Sequence, residues 1–471
     1  MTNKTHDTSQ LQSQTRMDNR TSASLRAFVT RLHFYVGLFV GPFILVAAVS
    51  GLLYVVTPQL ESWIYQDQLR TDSTGPALSL AEQAAAARAV VGDAPRLFAV
   101  RPATAPGHTT RVQFSEPEHG PSESRAIFVD PVTAEIRGDL IVYGTSGTLP
   151  FRTKIDYVHR SLLLGDFGRF YSELAASWLL VVALGGVLLW WWRRDKRQPS
   201  TMNVSMRTRR LHGQIGIVIA LGLVFIGATG LTWSEHAGGR ILQFRQAVGW
   251  ITPSVATMLP EATLSASSGS HADHADHADH ADHAMPTFAV SATDYSAQLD
   301  QVEAITRASG ILSPMIEIQT PRSADRGWMV REYDRSWPTN VDIIAIDPRD
   351  MSVLDQTDFR SFPLFAKFIR WGIDFHMGIL FGIANQLFMA AVALGLIASI
   401  VYGYRIWWLR RPTPGSAPRS LSESWTRLTT GAKLGTLLTA AALGWAMPVL
   451  GISLVGFIAI DLVRWRMSRT T

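Results

Sequence analysis

Four histidines, His33, His159, His212 and His376, stand at matched points of a chain that is written twice. The run RLHFYVGLFVGPFILVAAVSGLLY from Arg31 returns as RLHGQIGIVIALGLVFIGATGLTW from Arg210, pairing His33 with His212, Gly37 with Gly216 and Gly51 with Gly230 at an offset of 179 residues. A second set, Asp130, His159, Gly165, Gly186, Trp190 and Trp191, returns as Asp347, His376, Gly382, Gly403, Trp407 and Trp408 at an offset of 217. Ionisable side chains in or beside apolar spans are costly, so symmetric pairs of them read as functional. Taken singly, each would read as an interfacial residue with its ring among lipid headgroups. Two matched pairs instead suit axial ligation of two b-type haems.

His33 and His212 open the first and third apolar runs on the side predicted to be cytoplasmic, and a pseudo-twofold axis along the membrane normal would set them face to face across one haem. Gly37 and Gly216 follow one turn later on the same helix face, where a missing Cβ would let a macrocycle lie close. His159 and His376 precede the second and fourth runs on the opposite side and would hold a second haem, with Gly51 and Gly230 making room. Asp156 and Asp374 are candidates for orienting those imidazoles. Arg152, Lys154, Arg169, Lys367 and Arg370 form a basic rim suited to propionates or an anionic ferric chelate. His236 has no counterpart in the first half and is a candidate substitute or extra ligand.

The two offsets differ by 38 residues, which places an insertion in the second half, between about residues 235 and 295. It contains HADHADHADHADHA. In an extended conformation of three residues per turn, His271, His274, His277, His280 and His283 share one face and the intervening aspartates another. That density suits capture of a transition-metal ion; a slippage-generated disordered repeat of weak, incidental affinity is the plainer alternative.

Helices must position these residues. With 47% hydrophobic content, fifteen Trp and a mean hydropathy of +0.11, the composition fits a mixed membrane and globular chain. Apolar runs predict spans over 31–57, 172–193, 212–234 and 381–409, and a final stretch over 432–463 that reads as a helical hairpin broken at Met447-Pro448 or as one tilted helix. The hairpin gives about six spans. Arg and Lys cluster in 1–30, 194–211, 410–431 and 464–471, so the positive-inside rule puts both termini in the cytoplasm and the long segments 58–171 and 235–380 outside. The net charge of +5 and pI near 9.5 come from those flanks and do not imply nucleic acid. The tail 1–30 reads as a disordered cytoplasmic segment before an uncleaved anchor. The chain has no cysteine, which excludes c-type haem attachment, cysteine-held iron–sulfur clusters and disulfides. Neither a Rossmann nor a P-loop glycine signature occurs.

Each outside segment has a helix-like stretch, SLAEQAAAARAVVG from Ser79 and SAQLDQVEAITRASG from Ser296, followed by strand-like runs around IFVDPVTAEI and IAIDPRDMSVL. They predict two small α+β domains, one per repeat, and these resemble the PepSY domain. Through its R-L-H, H-x-x-x-x-x-G and W-W-x-R-R landmarks, the chain from roughly residue 25 to 411 resembles the PepSY-associated transmembrane family of bacterial inner-membrane proteins. That resemblance implies a periplasmic setting for the α+β domains and a link to iron uptake, because some relatives are di-haem reductases of ferric siderophores.

The expectation is therefore an α-helical membrane protein with internal duplication and two small periplasmic domains, carrying electrons from a quinol or cytoplasmic donor to a ferric siderophore or other metal chelate. The same conduit could serve copper or a protein acceptor. A haem-free PepSY-like scaffold that binds or regulates periplasmic proteins is the rival from a different class, and it leaves the histidine symmetry unexplained.

Overall fold

The computed structural model describes residues 23–120, 122–194, 203–260, 294–410 and 420–470. The polar N-terminal tail expected to be disordered and the HADHADHADHADHA segment, with its five histidines, lie outside the described residues. A helical unit is drawn from Met1–Leu53, Tyr157–Val248 and Leu387–Thr471, and a sheet unit from Tyr54–Asp156 and Gly249–Gln386.

In the helical unit, α1 (Ala23–Phe39) and α2 (Gly41–Val55) form a bent pair, and Gly165–Trp191, Val204–Leu231, Gly382–Leu409 and Pro448–Met467 are each long and apolar enough to cross a membrane. Four helices therefore qualify among the described residues, or five if the bent pair is one span. Val218 and Leu221 are 81% and 83% exposed, an apolar surface that water would disfavour and a bilayer would cover. A shorter helix, Thr430–Ala446, runs up to Met447, and the next begins at Pro448. Gly444 and Gly451 touch across that corner, where a Cβ built on Gly451 would lie 3.0 Å from the Gly444 Cα.

The first apolar run, predicted as one span over 31–57, is bent by 60° between α1 and α2. Pro42 is the physical cause. Its ring nitrogen has no hydrogen to give the carbonyl four residues back, that of Leu38. The Tyr404 hydroxyl donates to that carbonyl at 2.8 Å instead. A Cβ on Gly41 would lie 3.2 Å from the Tyr404 hydroxyl oxygen, so the bend, the glycine and the tyrosine form one device.

Glycines also set how closely the helices approach. A Cβ at Gly227 would meet Leu180 Cδ2 at 2.9 Å and the Ala176 carbonyl at 3.4 Å; at Gly222 it would meet Val392 at 2.7 Å. Around these contacts pack Ile44, Ala175, Leu179, Ala183, Ile219 and Leu223. Gly227→Val is expected to push Gly165–Trp191 off Val204–Leu231 and lower stability by about 1–3 kcal/mol. Thermal unfolding of detergent-purified protein checks this, and an unchanged midpoint would count against close packing at Gly227.

The sheet unit departs from the expected pair of small domains. Its strands are β1 (Arg96–Arg101), β2 (Thr110–Ser115), β3 (Glu123–Val129), β4 (Ile136–Tyr143), β5 (Ile316–Gln319), β6 (Trp328–Glu332), β7 (Ile343–Ile346) and β8 (Val353–Thr357). They form one antiparallel sheet in the order β4-β3-β2-β1-β5-β6-β7-β8. Each half supplies four strands, and the seam is β1 against β5, with Ala99 opposite Gln319 and Val100 opposite Ile318. The reason is burial. All four residues of β5 and four of the six in β1 are buried, a pattern suited to central strands, and in separate domains these two would have been edges. Helices Leu80–Val91 and Leu299–Ala308 lie over the common core of Leu80, Ala84, Leu299, Val302, Ile318 and Trp328. Asp300, from the second half, accepts the Leu80 and Ala81 N–H groups at 2.7 and 3.1 Å, capping the helix of the first half.

Candidate functional site

His33 lies on α1 and His212 on Val204–Leu231, and the helical unit brings their rings to 6.2 Å between centroids, with planes at 75°. Two imidazoles at that separation could hold one metal ion between them. The His212 Nδ1–H donates to the Ser399 carbonyl at 2.9 Å. Since a carbonyl can only accept, the proton is on Nδ1 and Nε2 keeps its lone pair. Nδ1 of His33 is buried with no hydrogen bond of good geometry, although the Val182 carbonyl lies beside it.

Val182 and Ser399 are 217 residues apart, so both inner histidines turn towards equivalent carbonyls. Four residues on from each carbonyl stands a glycine. A Cβ on Gly186 would lie 3.2 Å from His33 Cε1, and one on Gly403 would lie 3.8 Å from His212 Cε1. The glycine leaves a notch through which an imidazole reaches the helix carbonyl one turn back.

His159, at the end of Pro150–Ser161, sits in a third notch of the same design. A Cβ on Gly51 would meet its Cε1 at 3.2 Å, and the Ala47 carbonyl, four residues back, lies beside its ring. Here a side chain joins in, with Ser50 Oγ 3.0 Å from His159 Nδ1. The one Ser50 hydroxyl proton goes to the Val46 carbonyl at 2.7 Å, so towards the imidazole Ser50 accepts, and His159 also carries its proton on Nδ1.

Sequence reasoning placed the site glycines differently. Gly37 and Gly216 have nothing within 4 Å of a built Cβ, which is open space, while the glycines that touch the imidazoles are Gly51, Gly186 and Gly403, with a Cβ on Gly185 also 3.8 Å from His33 Nδ1. Gly51 was already expected beside the second haem, and for Gly186 and Gly403 their recurrence in the repeat is the signal that could have found them.

His376 ends the helix Leu364–His376 in the sheet unit. Asp374 is fully buried, with Arg335 Nε at 2.7 Å and Arg370 Nε at 3.1 Å. Arg370, expected on a basic rim, is thus held by a carboxylate. The turn after His376 closes where the Ile379 and Leu380 N–H groups donate to the Asp374 carbonyl, and Gly382 opens the next helix with φ +56°. Gly165 opens its own helix with φ +57°, so at these two equivalent positions only a left-handed residue fits and glycine is the natural choice.

Glu173 lies on Gly165–Trp191 and meets the start of the helix His236–Ala247. It is 1% exposed and accepts the N–H groups of His236 and Ala237 at 3.0 and 3.1 Å, with its carboxylate 3.5 Å from the His236 ring. His236 is therefore tied to a helix cap. Asp461 does the same for Leu421 and Ser422 at 3.0 and 2.7 Å. Both buried carboxylates close helix N-termini, which accounts for their presence in apolar surroundings.

The family model for the PepSY-associated TM region matches residues 30–410, a stretch that takes in all four histidines and every strand of the sheet. The chain belongs to that family. As a PepSY-associated TM protein it is a membrane protein, and the helices after residue 420 lie beyond the matched stretch. No curated protein matches the chain.

Proposed function

We propose that this chain is a di-haem, bis-histidine electron conduit of a bacterial inner membrane that reduces a periplasmic ferric siderophore or related ferric chelate. The observation that carries the reading is the inner pair. Two imidazoles on different helices stand 6.2 Å apart, and the proton of His212 is held on Nδ1. His33 and His212 would hold one b-type haem beside the open faces of Gly37 and Gly216, and His159 and His376 the other. The haems would supply one-electron storage at two depths. The chain's own part is to present Nε2 lone pairs, exclude water and hold the imidazoles against rotation. One electron taken from a quinol or cytoplasmic donor converts Fe(III) in the chelate to Fe(II), which hard oxygen ligands hold less tightly, so the protein needs no acid, base or nucleophile.

Internal duplication supports this reading, since the carbonyl and glycine that receive His33 recur at the matching positions for His212. By the positive-inside rule the basic flanks would keep both termini in the cytoplasm, and Thr430–Ala446 with Pro448–Thr470 would supply a short closing hairpin, six spans in all. The histidine-rich insertion would buffer released Fe(II) or another transition-metal ion. Copper or a protein oxidoreductase would serve as acceptor by the same route.

A second reading, a haem-free scaffold that binds periplasmic proteins, is favoured by a cleft of about 190 Å³ on the sheet unit. Gln113 Nε2 and Gln319 Oε1, both of residues lining it, are buried without partners. A pyridine haemochrome assay on detergent-purified protein separates the two. The conduit predicts two b haems per chain, and dithionite-reduced protein reoxidised by a ferric chelate; folded protein without haem overturns it and leaves the scaffold.

A further inference from the structure

The three described histidine notches differ in one atom. His33 and His212 turn to backbone carbonyls alone, whereas His159 meets the hydroxyl of Ser50. That hydroxyl is fully engaged. It donates to the Val46 carbonyl at 2.7 Å, accepts from His159 Nδ1 at 3.0 Å, and has the buried phenol of Tyr171 beside it. Such an oxygen is polarised by its own donation and offers more electron density to the imidazole N–H.

We infer that Ser50 is a positioning residue that fixes the orientation of His159 and lowers the reduction potential of the haem that His159 would ligate. The inference rests on the di-haem reading and adds a lever to it. An acceptor on Nδ1 makes the imidazole more basic, a more basic axial ligand favours the ferric state, and removing the hydroxyl, which leaves the Ala47 carbonyl alone beside the ring, shifts the balance towards ferrous. Packing does not need the hydroxyl, since Ser50 lies inside α2 and alanine is the better helix former. Thr229 stands 179 residues on and makes the same back-bonds, to Phe225 at 2.7 Å and Ile226 at 3.3 Å, as Ser50 makes to Val46 and to Ala47 at 3.2 Å. Sequence equivalence assigns it the same role in the other half, and threonine is thereby the conservative replacement.

The test is a potentiometric titration of wild-type, Ser50→Ala and Ser50→Thr proteins, full chain in detergent, followed in the haem Soret and α bands. Ser50→Ala is expected to raise one of two midpoints, increasing the ferrous to ferric ratio of that haem about tenfold at fixed poise, near 59 mV for one electron, while Ser50→Thr restores it. Loss of one haem from the alanine but not the threonine variant supports the same assignment. Two haems with both midpoints unmoved in Ser50→Ala, or equal changes in both variants, overturn the role of Ser50 and leave the conduit standing; a haem-free wild type removes both.

Discussion

His212→Ala is expected to take the purified protein from two haems per chain to one, with His33→Ala giving the same result and His236→Ala keeping both. The rings of His33 and His212 are 6.2 Å apart, so neither can be replaced from within the pair once its partner is gone. The fold should survive. His212 gives up one hydrogen bond, worth about 1 kcal/mol, and the Ser399 carbonyl stays inside its own helix, Gly382–Leu409. Removing the ring leaves an imidazole-sized space beside Gly403, so free imidazole added during haem loading is expected to restore part of the lost absorbance. Chelate-driven reoxidation should fall at least 100-fold, because the path loses one of two carriers. Equal haem content in His212→Ala and wild type would remove the inner site from the reading. His236 serves as the control because its polar partners are those of a helix cap: its N–H donates to Glu173 at 3.0 Å and its ring lies 3.5 Å from the same carboxylate.

The second large effect falls on the sheet seam. Glu317 is 1% exposed and lies between two arginines, 2.5 Å from Arg101 across the β1–β5 junction and 2.5 Å from Arg331 on the next strand. Burial alone would raise its carboxyl, but Arg101 and Arg331 hold it at about 2. Glu317→Gln leaves the buried Arg101 and the partly buried Arg331 guanidinium groups facing an uncharged amide, a change expected to cost about 3 kcal/mol. For a unit of this size that is a fall of roughly 6–12 °C in the unfolding midpoint. The pH dependence has a definite sign. A carboxylate with a depressed folded value stabilises above its ordinary value of 4.5, and that contribution is lost as pH falls from there towards about 2. Wild-type protein should therefore weaken over that window more steeply than Glu317→Gln. Parallel acid unfolding curves for the two proteins would show that the seam does not depend on the Glu317 charge.

The histidine pairs were legible because a constant offset survives any uncertainty about element boundaries. His33 and His212 need only the same register on two helices, and the repeat gives that directly. The notches were not legible. Gly37 and Gly216 lie one turn from a histidine on the same helix, a relation written in the sequence, whereas Gly186 reaches His33 from a different helix and only tertiary packing makes them neighbours. The bend at Pro42 could have been read from the proline itself, but its compensation by Tyr404, some 360 residues away, could not. The joined sheet was hidden for the same reason. Each half reads locally as a small α+β domain of its own, and nothing short-range says that β1 and β5 are meant for one another.

That junction also sets a schedule for the nascent chain. Ala99 is opposite Gln319, so the outer edge of β1 stays unpaired until 220 more residues have been made. At ordinary ribosomal speed the wait is roughly 10–40 s, long compared with the formation of a hairpin, and throughout it β1 offers a bare row of N–H and C=O groups to any other strand. Biogenesis therefore asks for a holdase or for translocation paced so that the first half is shielded until its other half arrives.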